Sequence, residues 1–268
     1  MIKLLDDPKI IEKLCIAEPY IGCIFLAAAT AFYDAPDLMT VWVELDEHGR
    51  AVSAVNIGSD DLMVLSGKNV PGTEMLLFLS KLAEDEKISN ISCGEAAFPV
   101  LKKIFGEKTE ALPLMKCSKH IKYERSEIPA AKSGDAAGLY QLMLSEYPEN
   151  QKPDFDMWML KHTRDINRGQ STVLTIEHKG APVSGACIRG RCKSGGAIVS
   201  VITDPDFRGR GYASFLVAQC AEMLRSEGLA AWLCPCDDRA ERLYARLGFR
   251  RAGSFYTIYL DKEENKNE

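Results

Sequence analysis

Val201-Ile-Thr-Asp-Pro-Asp-Phe-Arg-Gly-Arg-Gly-Tyr-Ala-Ser214 is the stretch whose reading decides the fold: an apolar strand ends, the chain turns through glycines, and a helix begins. Gly209 and Gly211 lack Cβ atoms, so the backbone can approach a ligand closely and take positive φ. Unpaired N–H groups at the start of the helix suit a phosphate or pyrophosphate. Arg208 and Arg210 can add charge-assisted hydrogen bonds. The loop lacks the Gly-Lys-Ser/Thr of a P-loop, and Ser214 stands where a dinucleotide fingerprint has its third glycine. A plain glycine-rich turn leading into a helix would read the same way, so this loop alone leaves the ligand open.

Working outward, the spacing predicts a helix over Gly211 to Glu227, with apolar residues at 216, 217, 220, 223 and 224. Ala230 to Cys234 reads as a strand covered on both faces. Next comes Asp237-Asp-Arg-Ala-Glu-Arg-Leu-Tyr-Ala-Arg-Leu-Gly-Phe249. Asp238 is the expected N-cap, with Glu241 at the capping-box position and Gly248 just past the helix end. Ala240, Leu243, Tyr244 and Leu247 share one face, which buries Tyr244 at least in part; a core aromatic would suffice to explain it. Upstream, helices are expected over Gly134 to Glu146 and Asp154 to Asn167, and strands over Ser171 to Glu177, Ser184 to Arg189 and Ala197 to Thr203. A last strand follows at Ser254 to Leu260.

The first half repeats this order with degraded detail: a hairpin of Leu38 to Leu45 and Ala51 to Ile57, a strand at Leu62 to Leu65, a helix from Gly72 to Glu84, a strand at Ile88 to Cys93 and a helix over Glu95 to Phe105. Superposing Gly72 on Gly209 aligns the halves at an offset of about 137 residues, close to the domain size expected from length. The preferred reading is an internal duplication, with domains at 1–125 and 126–268 joined near Ser118 to Ala131. The opening MIKLLDDPKIIEKL reads as an amphipathic helix, and Ile21 to Tyr33 as a buried helix too short to cross a bilayer.

Taken together, the two C-terminal segments resemble the GNAT superfamily of acyl-CoA N-acyltransferases. Arg208-Gly-Arg-Gly-Tyr-Ala213 matches that family's Arg/Gln-x-x-Gly-x-Gly/Ala loop, and Ala240-x-x-Leu243-Tyr244-x-x-x-Gly248-Phe249 follows at the family distance. The resemblance implies an α/β (α+β) fold with a mixed, mostly antiparallel central sheet flanked by helices, here as a tandem pair. It implies acetyl-CoA as acyl donor, with Arg208, Gly209, Arg210, Gly211, Tyr212, Ala213 and Ser214 around the pyrophosphate. Val201, Ile202 and Thr203 would line the pantetheine arm, a bulge among them giving an oxyanion donor. Tyr244 matches the tyrosine that protonates the departing thiolate. Asp237 stands beside the cofactor where many members carry Asn. The expected reaction is direct attack by a primary amine of a small molecule, amino acid or peptide. No glutamate lies on Ala197 to Thr203, so Asp204, Glu177, His178 or a water chain are the options for a general base. The first half has Ser66-Gly-Lys-Asn-Val-Pro-Gly72 where the loop would stand; it is expected to bind no coenzyme and instead to shape the acceptor cleft or bury one face of the catalytic half.

Charge and cysteine usage narrow the alternatives. The net charge is −5, and the first 125 residues hold 14 Lys+Arg against 19 Asp+Glu, whereas the remainder balances. A nucleic-acid partner wants a basic face, so aminoacyl transfer from tRNA is disfavoured. A non-catalytic acyl-CoA sensor remains the alternative from another class. Nine cysteines form no disulfide framework and suggest reduced thiols in a cytoplasmic protein. Cys234-Pro-Cys236 lacks a second pair at zinc spacing, so no metal is expected; an acyl-cysteine route would need a base that the sequence does not place beside it. No membrane association is expected.

Overall fold

The computed structural model describes residues 1–58, 60–85, 87–123, 127–144 and 154–261. The expected joint at 125/126 and the expected helix end at Glu146 lie outside them. In chain order the strands are β1 (Ile2–Leu4), β2 (Val41–Leu45), β3 (Ala51–Ile57), β4 (Asp61–Leu65), β5 (Asn90–Cys93), β6 (Thr109–Cys117), β7 (Lys132–Ser133), β8 (Ser171–His178), β9 (Ala181–Cys192), β10 (Gly195–Thr203), β11 (Ala231–Leu233) and β12 (Arg250–Tyr259). The α-helices are α1 (Glu12–Ala17), α2 (Pro19–Ala31), α3 (Thr73–Ala83), α4 (Phe98–Phe105), α5 (Ala136–Leu144), α6 (Phe155–Asn167), α7 (Tyr212–Ser226) and α8 (Asp238–Arg246).

All twelve strands join one mixed, mostly antiparallel sheet in the order β1-β2-β3-β4-β5-β12-β6-β11-β10-β9-β8-β7. That order is palindromic when β1 to β6 are exchanged for β7 to β12, and its centre is a swap. β6 lies between β12 and β11, and β12 lies between β5 and β6. The two central strands pair antiparallel from Arg250↔Lys116 to Ile258↔Thr109.

Helices cover both faces. Ala197 packs with α2, whereas its neighbour Ile198 packs with Leu216, Val217, Cys220 and Leu224 of α7, as alternation along a strand requires. Helix α2 is apolar on every side, with nine residues buried, and it touches β2 and β4 as well as β9, β10 and β11. A helix without a polar face is buried all round; here one helix of the first half lies across the sheet of the second. Gly22 permits the tight α1–α2 corner, since a Cβ there would lie 2.3 Å from the Cα of Cys15.

Two local expectations are corrected. The opening residues do not form one helix: Ile2–Leu4 pairs with Trp42–Glu44 on the edge of the sheet, Asp7 caps a short 3-10 turn at Pro8, and only Glu12–Ala17 is α-helical. The N-cap before α8 is Asp237, not Asp238; its carboxylate accepts from Ala240 N at 2.6 Å, and Glu241 instead pairs with Arg251. All nine cysteines are free thiols. Among the described residues no helix is long and apolar enough to cross a membrane, and no group of three ligand-type side chains could hold a metal.

Candidate active site

The site is made by two strands that part. β10 and β11 run parallel for two residue pairs only, Gly196↔Ala231 and Ala197↔Trp232. β10 then continues to Thr203, while β11 ends at Leu233. Pairing of β10 with β9 lapses between Val199 and Ile202, where Ser200 takes φ 51°. A non-glycine residue in the left-handed region is a local strain point, and a bulge bends its strand. Ser200 lies one residue before the Val201–Thr203 segment in which the sequence suggests a bulge.

The parted strands open a cleft of about 1140 Å³. It brings together Val201, Ile202, Thr203, Arg208, Gly209, Gly211, Tyr212, Ala213, Ser214, Asp237 and Tyr244. Arg210 is the exception: it does not line the cleft, donates to the carbonyl of Asp206 at 3.2 Å and lies 4.8 Å from the ring centre of Phe207. Arg208 is steered back onto the strand, its Nε 3.0 Å from the carbonyl of Thr203.

Gly209 (φ 79°) and Gly211 (φ 83°) are both left-handed, and Gly211 caps α7 without any side-chain hydrogen bond to the helix start. The first-turn amides of a helix have no partner within it, so Tyr212, Ala213 and Ser214 present theirs to the cleft with the positive end of the dipole. Other helices close the same vacancy from within: Asp154 caps α6 and Asp237 caps α8. Four basic side chains line the cleft (Lys122, Arg208, Arg239 and Arg246) against one carboxylate, Asp237, although the whole chain is acidic.

Tyr244 is 7% exposed, and among the described residues no group hydrogen-bonds its hydroxyl. Burial, then the neighbouring Cys236, Asp237 and Cys234, push its phenol well above the ordinary range, so it stays protonated at neutral pH. Cys234 and Cys236 line the same wall. Burial and then Cys236 push the Cys234 thiol up to about 12, which makes it a poor nucleophile. The three candidate bases do not line the cleft: Asp204 caps a turn by accepting from Asp206 N, Glu177 pairs with Lys132, and His178 packs on the lining residue Phe207.

Sequence reasoning expects the first half to shape the cleft or bury one face of the second, but names none of the residues involved. Tyr20, at the start of α2, lines the cleft close to Tyr244 and Cys234. His120, Ile121, Lys122 and Tyr123, just after β6, close another side, and the Tyr123 hydroxyl donates to the carbonyl of Gly211 at 3.3 Å. Glu222 of α7 holds this segment, accepting from Ile121 N at 2.7 Å and meeting His120 Nδ1 at 2.8 Å. No local sequence signal ties Tyr20 to Tyr244; packing does.

The equivalent place in the first half is shut. β4 and β5 stay paired over all four residues of β5, from Asp61↔Asn90 to Val64↔Cys93. The amides of Ser66 and Gly67 donate to Glu18 Oε2 at 2.9 and 2.8 Å, and that of Gly72 to Glu44 Oε2 at 2.9 Å. Protein carboxylates stand where an anion would.

The Acetyltransferase (GNAT) family matches residues 136–249, the stretch that holds the parted strands, the glycine loop and Tyr244. Residues 136–249 are a GNAT acetyltransferase domain. Among curated proteins none matches the chain. Solved structures with this fold include a GCN5-related N-acetyltransferase from Kribbella flavida (16% identity, 80% of this chain and 88% of that one, TM-score 0.57). Another is a GCN5-related N-acetyltransferase from Sphaerobacter thermophilus (14% identity, 98% and 96%, TM-score 0.56). A tandem GNAT protein from the clavulanic acid biosynthesis pathway (12% identity, 92% and 97%, TM-score 0.54) is similar over most of the chain. At these identities the likeness is one of fold. The GNAT match supports acyl transfer from acyl-CoA.

Proposed function

We propose that the protein is an N-acyltransferase that moves an acetyl or other short acyl group from acetyl-CoA to a primary amine of a small molecule, amino acid or peptide. The observation that carries this is the uncapped start of α7, which follows two left-handed glycines at the mouth of the parted strands. Those amides, with Arg208, hold the pyrophosphate. Arg210 reinforces the loop from behind through Asp206 and Phe207. Val201, Ile202 and Thr203 offer backbone groups to the pantetheine arm, and the bulge at Ser200 frees a main-chain amide for the thioester oxygen. Asp237 acts on the cleft wall by fixing α8, since its carboxylate is committed to the cap.

Tyr244 donates the proton to the departing thiolate. The burial that keeps its phenol neutral also raises the proton affinity of a thiolate beside it, so the transfer stays near balance. Attack is direct, because a Cys234 thiol pushed up to about 12 is a poor nucleophile for an acyl-cysteine route. The first half binds no coenzyme: its strands do not part, and Glu18 and Glu44 fill its loop amides.

Incubation of the purified protein with acetyl-CoA and an amine panel, reading thiol release, tests the proposal. Turnover supports it. Tight acetyl-CoA binding without turnover on any amine would favour a sensor, and no binding at all would end the acyl-CoA reading.

A further inference from the structure

Six buried side-chain polar atoms among the described residues have no hydrogen-bond partner, and five of them fall in one place: both oxygens of Asp165, Ser171 Oγ, and Nε and Nη2 of Arg189. Native interiors leave such groups unpaired only rarely. Asp165 is fully buried on α6, and Ser171 sits opposite Arg189 on neighbouring strands. The Arg189 Nε–Asp165 contact of 3.5 Å is longer than a charge-assisted hydrogen bond, and no second contact makes it bidentate. Burial, only partly offset by Arg189 and Lys161, raises the Asp165 carboxyl above its ordinary range. Asp61 is the other carboxylate near Arg189 and Lys161, and it hydrogen-bonds neither. Half-buried Lys161, one turn earlier on α6, has no partner among the described residues; burial and then Arg189 push it down to about 8. His162 is fixed apart from them, its Nδ1 2.8 Å from the carbonyl of Trp158.

This cluster adjoins the cleft. Arg189 pairs with Ala197, the residue before Ile198, where the cleft lining on β10 begins, and two residues, about 7 Å, before Val199 on the same strand face. Arg189 lies on the face of β9 that Cys187 presents to α5 and α6, the face on which Val199 also packs. Tyr20 bridges the two places, lining the cleft while feeling the charge of Arg189.

We propose that Arg189 and Lys161, behind Tyr20, receive a carboxylate on the acceptor, so that the acceptor is an amino acid or another amine bearing a carboxylate. The planar fork of Arg189 suits bidentate capture of such a group, and the acceptor amine then reaches forward past Tyr20 to the bulge of β10. Arg189 is the specificity-determining residue, and the first half contributes to selection through Tyr20. This rests on the acyl-transfer reading of the cleft.

The experiment compares amino acids with their decarboxylated amines at saturating acetyl-CoA, in the full-length protein and in Arg189→Lys, Arg189→Ala and Lys161→Met. The carboxylate-bearing acceptor is expected to be favoured roughly 10- to 100-fold in kcat/KM, as charge-assisted hydrogen bonds require. Arg189→Lys should erode that preference by raising acceptor KM while acetyl-CoA affinity holds. A donor-independent readout is thermal stabilisation by N-acetyl amino acids, which should exceed that by N-alkyl acetamides and vanish in Arg189→Lys. Acetyl-CoA turnover on decarboxylated amines at equal efficiency would overturn the inference and leave the acyl-transfer reading standing. Loss of acetyl-CoA binding in the unmodified protein would sink that reading instead, and stabilisation by the two ligand sets alike would still refute the carboxylate site.

Discussion

Tyr244 and Gly211 divide the chemistry between proton transfer and anion binding, and single substitutions should separate the two. Tyr244→Phe keeps the ring against Phe249, 6.2 Å away between centroids, and removes only the hydroxyl. Turnover should fall roughly 10²- to 10⁴-fold, with acetyl-CoA affinity by calorimetry unchanged; an undiminished rate would remove the general-acid role and leave the fold assignment intact. Because the phenol is raised by burial, it keeps its proton above the range of an ordinary tyrosine, so no alkaline loss of rate below about pH 10 should come from it. Gly211→Val acts oppositely. A β-branched residue at φ 83° costs about 1–3 kcal/mol of backbone strain and shifts the amides that follow. Acetyl-CoA affinity should weaken roughly tenfold or more, and an unaltered dissociation constant would show that these amides do not hold the nucleotide.

At the scale of elements, Glu222 pins the segment after β6 to α7 and so holds one wall of the cleft. Its burial opposes ionisation, but hydrogen bonds from Ile121 N, His120 and Arg225 together outweigh that and hold the carboxyl near 2. A folded value below the unfolded one means that the unfolded chain binds more protons between about 4.5 and about 2. Stability from Glu222 is therefore present above that window and lost as pH falls through it. Glu222→Gln should flatten the acid limb of a pH–melting profile and weaken cofactor binding through Lys122 and Tyr123; an unchanged acid limb would contradict the assignment. Elements whose signals are local could be read from sequence: the glycine loop, the amphipathic α7 and α8, and the hairpin of β2 and β3. Thr109–Cys117 could not. Its Glu, Ala, Leu and Lys favour helices, and Pro113 argues against a central strand. It is a strand because β12 and β11 flank it. Pro113 is tolerated because β11 pairs only with Met115, Lys116 and Cys117, so the missing N–H falls where the sheet has already opened. The opening helix failed for the matching reason: Ile2–Leu4 gains an edge partner in β2 that no local pattern announces. Likewise Tyr20 falls just before the buried helix that the sequence marks at Ile21 to Tyr33, and nothing local marks it as a wall of the cleft.

For the whole molecule the exchange of β6 and β12 is decisive. β12 has both its neighbours, β5 and β6, in the first 125 residues, and β11 has β6 on one side. A fragment of residues 126–268 would leave β12 without either partner and strip α2 from β9 and β10, exposing an apolar sheet face. Unpaired edges of that kind template aggregation, and swapped elements make two halves one cooperative unit. We expect that fragment to be insoluble when expressed alone, and residues 1–125 to fare no better, since β5 would lose β12. Co-expressed, the two fragments should copurify as a 1:1 complex and recover acetyl-CoA binding, because every strand of the palindrome is then supplied. Size-exclusion chromatography with calorimetry reads the result. A soluble, fully active 126–268 fragment would mean that the GNAT domain completes its sheet by another route, and that the first half neither closes the cleft nor presents Tyr20 to it.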